Sequence, residues 1–525
     1  MTVRQGFYIV SIVLFVAVAL LAIVWPNVLW ALLVLVPLFL VGVYDATHGV
    51  HNVLRNYPVI GHIRYFAEFI RPEIQQYFVA TNLSGRPYPR ETRELVGARS
   101  HGGDGIQPFG TQHDLLTSGT EFAMHSMAPK EPPPEAARVV FGPDCAQPYS
   151  ASRLNVSAMS YGALSRNAVI AMNRGAALGG FYQDTGEGGL TPHHIAGGGD
   201  IVWELGTGYF GCRTADGNFD PEKFREKAAH DHVKMVEIKV SQGAKPSHGG
   251  VLPAAKISEE ISRIRGVPMG QDCISPPAHT AYSNPCEMME FVAQLRELSG
   301  GKPAGFKLCI GQRSEFLGIV KGMLKTGITP DFIVVDGSEG GTGAAPLEFS
   351  RSLGLPVNEG LAFVHASLVG AGLRDKVRIG ASGKIASGFD MVIKMALGAD
   401  ICNVARPFMF TVGCIQALRC HTNRCPTGVA TQDPERYKAI DIERKHLQVA
   451  KYHEKTIESF LALIGAMGVD DPKNLTPQHI FLRGDDGTAR SYAEVYSWLD
   501  QDALLGGALP VPFDRYWSHA SAEHF

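Results

Sequence analysis

The sequence predicts an α/β chain, a (β/α)8 barrel preceded by a two-helix transmembrane hairpin. Three observations carry this. Two long apolar runs stand at the amino terminus, short apolar runs alternate with helical stretches over residues 151–440, and Gly, Ser, Lys and Asp gather where the short runs end.

The elements follow in order. Phe7 to Trp25 and Val28 to Tyr44 hold no Asp, Glu, Lys, Arg or His, and each is close to the roughly 20 residues that span a bilayer. Pro26 and Asn27 between them read as a turn, giving a hairpin over residues 1–45. Arg4 precedes it, Arg55, Arg64 and Arg71 follow, and the turn has no basic residue. The positive-inside rule then places both ends, and the catalytic domain, on the cytoplasmic face of an inner, cytoplasmic membrane. A cleaved signal peptide would explain neither the second run nor the lack of a small-residue cleavage site. With no ionisable residue in either span, the hairpin reads as an anchor rather than a transporter.

Residues 46–150 are rich in Pro, Gly and Arg without sustained periodicity and read as an irregular collar or linker. Strand-like runs then recur at Leu154 to Ser160, Met235 to Ser241, Phe306 to Ile310, Phe332 to Asp336, Val377 to Ala381 and Ile401 to Ala405. A closed barrel of parallel strands places its active site at their carboxyl ends. Residues 441–525 read as a helical extension without chemistry of its own.

Composition excludes some functions. A formal net charge of -3 offers no basic face for nucleic acid. Nine cysteines, three of them near position 420, suit metal ligation in a reducing compartment better than a secreted disulfide framework.

Four constellations carry chemistry. Cys414, Cys420 and Cys425 stand in a C-x5-C-x4-C-P arrangement after the last strand. They read as iron–sulfur ligands ahead of zinc, for which His421 would complete the set, and ahead of free core thiols. Ser338 to Pro346 and Ala381 to Gly388 are Gly-rich turns after strand-like runs, where successive backbone N–H groups suit a phosphate. Lys307 lies within a strand and must meet something anionic, either a flavin edge or a salt bridge inside the barrel. Lys239, Ser241, Gln242, Lys245 and His248, with Thr185, Gly186 and Glu187, are suited to gripping carboxylates and moving a proton. Each alone is more commonly a solvated loop residue, and their joint placement after consecutive strands is what distinguishes them.

In order along the chain, MSYGALS at Met159, DTGEGG at Asp184, IKVSQGAKP at Ile238, ISPPAH at Ile274, FKL at Phe306, GGTGAAP at Gly340, SGKIASGFD at Ser382 and CHTNRCPTGVATQDP at Cys420 resemble the synthase domain of glutamate synthase. The resemblance covers roughly residues 150–435, and with RPEIQQYF at Arg71 the whole is similar to stand-alone members of that family, some with amino-terminal membrane helices. It implies an FMN-binding barrel with an iron–sulfur cluster, expected to be 3Fe-4S, on Cys414, Cys420 and Cys425. It implies FMN contacts from Ala158, Met159, Ser160, Gln242, Lys307, Gly340, Gly341, Thr342, Gly343, Gly383 and Gly388. The oxo acid would meet Ser160, Gln242, Lys245 and Arg265, with Glu187, Lys245 and Lys307 as the catalytic set. The implied reaction is reductive amination of 2-oxoglutarate, through 2-iminoglutarate, to L-glutamate.

The sequence departs from the large synthases in three ways. The membrane hairpin stands where they have a glutamine-hydrolysing Cys, and no G-x-G-x-x-G fingerprint follows a strand, so ammonia and electrons are expected from outside. The donor would be a ferredoxin, a reductase or a membrane carrier. His248 and Val251 in SHGGVL alter the substrate wall, and unpaired polar groups discriminate strongly between substrates. Two alternatives therefore stand beside the first reading: an N-methylglutamate synthase-like or amino-acid-dehydrogenating enzyme coupled to a membrane carrier, and a non-catalytic redox module.

Overall fold

A computed structural model describes residues 2–48, 51–506 and 509–525. By internal contact the chain forms two units, Met1–Arg90 and Glu91–Phe525.

In the first unit, α1 (Val3–Val24) and α2 (Leu32–His48) are each long and apolar enough to cross a membrane. The turn is longer than the expected dipeptide, because Pro26–Ala31 winds as a 3-10 segment. Phe7 stacks on Phe39 at 6.0 Å, and the missing side chain of Gly42 makes room for the Phe7 ring. Beyond α2 the expected irregular chain is instead partly helical, with α3 spanning Gly61–Ile74. Its apolar residues recur at helical spacing among charged ones, a pattern that the Pro and Gly content obscured.

The second unit is built on a closed barrel of eight parallel strands. These are β1 (Leu154–Val156), β2 (Tyr182–Asp184), β3 (Asp200–Leu205), β4 (Val233–Lys239), β5 (Ala304–Leu308), β6 (Phe332–Asp336), β7 (Arg378–Ser382) and β8 (Ile401–Val404). Sequence reading found six of them. It missed β2, three residues long, and β3, whose run is broken by Glu204. Closure pairs Cys402 with Leu154 and Asn403 with Asn155. The connecting helices include α4 (Arg166–Gly179), α5 (Pro221–Ala228), α6 (Glu259–Arg265), α7 (Pro285–Leu298), α8 (Arg313–Thr326), α9 (Val357–Gly370) and α10 (Gly388–Ala396). Most begin at a side-chain cap, as at Ser165, Asp220, Asn284 and Ser387, which satisfies otherwise orphaned N–H groups.

An antiparallel hairpin, Arg138–Phe141 with Tyr149–Ser152, plugs the amino-terminal end of the barrel. The last long helix, α11 (Ile442–Ala466), packs along α4, where Gly175 admits Val449. Ile480–Arg483 pairs with both Glu121–Ala123 and Ala489–Ser491, so segments on either side of the barrel in sequence share one small sheet.

Candidate active site

Every second side chain of a barrel strand faces the axis. The lowest interior layer is apolar: Tyr182, Val202, Met235, Phe332, Val334 and Ile401 pack with Phe141 and Tyr149 of the plug. Two residues further along three of those strands the interior turns acidic. The carboxylates of Asp184, Glu204 and Glu237 lie within 4.8 Å of one another, all buried. Lys307 Nζ donates to Glu204 and stands 3.3 Å from Glu237. Of the two readings its sequence left open, Lys307 forms the salt bridge inside the barrel.

Above this layer is the mouth. Asp184 Oδ1 accepts the Gly186 N–H at 2.8 Å and turns the chain sharply, with Gly186 at φ +65°, a conformation that glycine adopts without penalty. The turn rests on the loop after β1, where Gly188 N–H donates to Ser160 Oγ at 3.1 Å. Glu187 is thereby aimed at Lys239 Nζ, 2.9 Å away. Gly250 leaves room for the Glu187 carboxylate, where a side chain would collide. Burial alone would raise the Glu187 pKa, yet Lys239, Lys245 and Arg265 hold it down at about 2.

Lys245 is 2% exposed and donates to the Gly249 carbonyl at 3.0 Å. Burial lowers it to about 8 against the opposing pull of Glu187. Arg265, at the end of α6, donates to the Tyr161 carbonyl at 3.1 Å and lies 5.0 Å over the Phe210 ring. Its Nε is buried without a hydrogen-bond partner. His279 bridges the Lys239 carbonyl, at 2.8 Å, and the Tyr209 hydroxyl, and burial keeps it neutral with a pKa of about 4.

Beside the mouth lie the Gly-rich turns, which follow β6 and β7. Gly243 N–H donates to Asp336 Oδ2 at 2.7 Å, joining the loop of Gln242 to that of Gly340. Arg406 donates to the Glu339 carbonyl at 3.0 Å, and its guanidinium would lie 2.9 Å from a Cβ on Gly341. Gly341 and Thr342 are exposed, and Ala158, Ser160 and Gln242 half-buried above a buried Met159. Gly383, at φ +149°, faces Val357 and Glu339. Gly388 stands apart. It is buried against Ser459 and Phe460 of α11, and the α10 amino terminus is closed by its own capping box, in which Asp390 accepts from Ala386 and Ser387.

The cysteine loop borders this region, since a Cβ on Gly343 would lie 3.9 Å from Cys420 Cβ. Gln416, Leu418 and Asn423 all have positive φ, a concentration of backbone strain of the kind that marks functional loops. Burial pushes the Cys414 thiol up to about 12. Burial would raise Cys425 too, but hydrogen bonds from Thr427 and neighbouring backbone N–H groups leave it below its ordinary value. Asn423 Nδ2 ties the loop to the Ala255 carbonyl at 2.7 Å, next to Lys256, whose buried ammonium is drawn by Cys420 and Cys425.

Residues 138–470 match the family described as the conserved region in glutamate synthase. The chain belongs to the glutamate synthase family. It is 37% identical over 486 residues to the glutamate synthase large subunit-like protein YerD of Bacillus subtilis (strain 168), covering 85% of this chain and 92% of YerD. It is 34% identical over 331 residues to the archaeal glutamate synthase [NADPH] of Methanocaldococcus jannaschii, covering 63% of this chain and 61% of that one. The chain thus spans about three fifths of that archaeal relative. Among solved structures, a flavocytochrome b2 mutant with pyruvate bound superposes with a TM-score of 0.43 at 15% identity, covering 85% of this chain and 92% of that one. The barrel itself is established by its own strand pairing.

As a member of the glutamate synthase family the chain is an oxidoreductase of that type. Ser160, Glu187, Lys245 and Arg265 come together at the mouth, Gly340 to Gly343 beside Arg406 and Cys420, and Lys307 one layer below. The sequence places Lys239 among the residues suited to gripping carboxylates but not in the catalytic, cofactor or substrate sets, and it does not single out Arg406, Lys256 or the acidic layer. Glu204 in IVWEL and Glu237 in MVEIK were visible signals, since a carboxylate inside an apolar strand needs a buried partner.

Proposed function

We propose that this glutamate synthase family member is an FMN and iron–sulfur enzyme that makes L-glutamate from 2-oxoglutarate and ammonia, with electrons and nitrogen supplied from outside the chain. The observation that carries the reading is the mouth, where Lys239, Lys245 and Arg265 surround one ionised carboxylate, Glu187. Three cations against one anion leave two positive charges, the complement of a dicarboxylate oxo acid. Arg265, with its planar fork and an unpaired buried Nε, suits one carboxylate, and Lys245 the other.

The neighbouring loops fit the cofactors. The exposed Gly341–Thr342 backbone beside the Arg406 guanidinium suits a phosphate, with Ala158, Met159, Ser160, Gln242 and Gly383 around the space for a flavin ring. The packing of Gly388 under α11 explains that glycine without a ligand. Among the described residues the three thiols are not gathered within the 4.8 Å of one another that a single ion would need. That favours a multi-iron cluster over zinc, and the stabilised thiolate of Cys425 favours ligation over a free core thiol. FMN there would supply hydride transfer, and a 3Fe-4S cluster single-electron delivery.

The residues then divide the work. Ammonia adds to the oxo carbon and water leaves, giving 2-iminoglutarate, whose carbon receives a hydride and whose nitrogen receives a proton. Lys245, poised near pH 8, holds a proton that it can release. Glu187 is ionised throughout the neutral range, so it serves to attract ammonium and to stabilise positive charge on the imine nitrogen, not to donate a proton. Lys239 orients Glu187.

A second reading keeps the site and reverses the flow, with an amino acid oxidised and electrons passed to a membrane carrier. The two spanning-length helices favour it. In either case we read the hairpin as an anchor in the cytoplasmic membrane with the barrel in the cytoplasm. Convergence of Lys245 and Arg265 on Glu187 weighs against a non-catalytic redox module. The test is anaerobic. Purified enzyme is reduced and mixed with 2-oxoglutarate with and without ammonium while flavin absorbance is followed. Reoxidation is expected only with both present, and indifference to every oxo acid would sink the reading.

A further inference from the structure

The buried layer beneath the mouth has a charge problem that its geometry alone defines. Asp184, Glu204 and Glu237 are each 1% exposed, their carboxylates lie within 4.8 Å of one another, and they share one ammonium, that of Lys307. Glu237 Oε1 is buried without a hydrogen-bond partner, and ionised carboxylates only accept, so a hydrogen bond among the three can form only where one of them carries a proton. Three ionised carboxylates cannot coexist at that spacing in a dry interior with one cation.

The groups facing the layer do not relieve it. Tyr182 from below donates its hydroxyl to Asn403 Oδ1 at 2.6 Å. Asp336 on β6 adds a further negative charge within reach of Lys307. His279, near Glu204, is neutral, and Lys239, the next cation up, is engaged by Glu187. Among the described residues the one backbone donor to the trio, Gly186 N–H, serves Asp184.

We propose that this layer is a proton store: Asp184, Glu204 and Glu237 hold one proton between them at neutral pH, and take up a second when electrons enter the site above. The trio and Lys307 carry a net charge of -1 with one bound proton and none with two, so the second proton compensates a negative charge arriving at the mouth. Lys307 is the fixed counter-charge that keeps the remaining carboxylates ionised. Burial and the neighbouring carboxylates push Asp184 up to about 7 and Glu237 well above its ordinary range, in the same direction as the geometric argument.

The uptake on reduction rests on the flavin reading of the site, whereas the stored proton does not, and the experiment separates them. Infrared spectra of the full chain at pH 7, in H2O and D2O, should show a protonated carboxyl band that shifts in D2O and weakens in Glu237→Gln or Asp184→Asn. Both replacements keep the side-chain shape, so either serves if the other fails to fold. A folded wild-type chain without that band, or a band unchanged in both variants, overturns the store. The second arm follows the two-electron midpoint potential of the bound flavin against pH. The wild type should respond more steeply than Glu237→Gln by up to about 29.6 mV per pH unit, the value of one tenfold change for a two-electron couple. Equal slopes overturn the coupling. A preparation that binds no flavin overturns the reading of the site, and the infrared arm still decides the store.

Discussion

The mouth of the barrel and the layer beneath it use the same residue types in inverted proportion. At the mouth Lys239, Lys245 and Arg265 face one carboxylate, and Glu187 is held ionised at about 2. Below, Asp184, Glu204 and Glu237 face one ammonium, and Asp184 is pushed up to about 7. Burial opposes ionisation in both places, so the balance of neighbouring charges decides the outcome. Excess cation makes a site for an anion from outside. Excess carboxyl makes a site for a proton.

Removing the minority charge breaks the comparison most severely in the interior. Lys307→Met leaves buried carboxylates uncompensated, which typically costs about 3–5 kcal/mol, a large part of the roughly 5–15 kcal/mol that stabilises a domain. Urea denaturation should show the loss, and it should shrink as the pH falls and the carboxyls take up protons. A variant within about 1 kcal/mol of wild type at pH 8 would show that the layer does not depend on its ammonium.

At the mouth the majority charges are the ones that matter. Arg265→Gln and Lys245→Met each remove a charged hydrogen bond worth about 1.5–3 kcal/mol, so kcat/KM for 2-oxoglutarate should fall by roughly ten- to a hundredfold. Flavin content should be unchanged, because Lys245 donates to the Gly249 carbonyl and Arg265 to the Tyr161 carbonyl, outside the Gly-rich turns. Equal losses of flavin and activity would place these residues in the cofactor site instead.

The two carboxylates also give stability opposite dependences on pH. The folded pKa of Asp184 is raised from 3.8 to about 7, so its contribution is complete below pH 3.8 and disappears as pH rises through 7. That of Glu187 is lowered from 4.5 to about 2, so its contribution is present above pH 4.5 and is lost as pH falls through 2. Stability should therefore peak on the acid side of neutrality, and Asp184→Asn should flatten the decline between about pH 4 and pH 7. Thermal unfolding from pH 2 to pH 9 measures both, and a decline between pH 4 and pH 7 unaffected by that change would remove Asp184 as its cause.

These regions were unequally legible in the sequence. SQGAK and DTGEGG at strand ends announced the mouth, because a lysine after an apolar run is conspicuous and glycine pairs mark close approach. The acidic layer is assembled from Asp184, Glu204 and Glu237 on three consecutive strands, and only their parallel pairing, with Glu204 in register with Glu237, brings them within contact. β2 escaped notice for a related reason. At three residues it is too short for any period to register, and its place comes from pairing with β1 and β3. Lys307 is visible in the sequence but its partners are not, because a single strand does not show what the neighbouring strands carry inward.

The smallest effect belongs to a third arrangement, one cation beside a cluster of sulfurs. Lys256 is 2% exposed and donates to the Ala163 carbonyl at 2.7 Å, in the loop that also carries Ser160. Cys420 and Cys425 are its electrostatic partners. A buried positive charge stabilises the more negative, reduced form of any iron–sulfur centre held there, so Lys256→Met should lower the centre's midpoint potential. A shift of up to about 59 mV corresponds to one tenfold step for a one-electron couple. Potentiometry followed by electron paramagnetic resonance reads it directly, and Lys256→Arg should restore most of it if charge is the cause. A full shift that persists in the arginine variant would assign Lys256 to the packing of the loop rather than to its field.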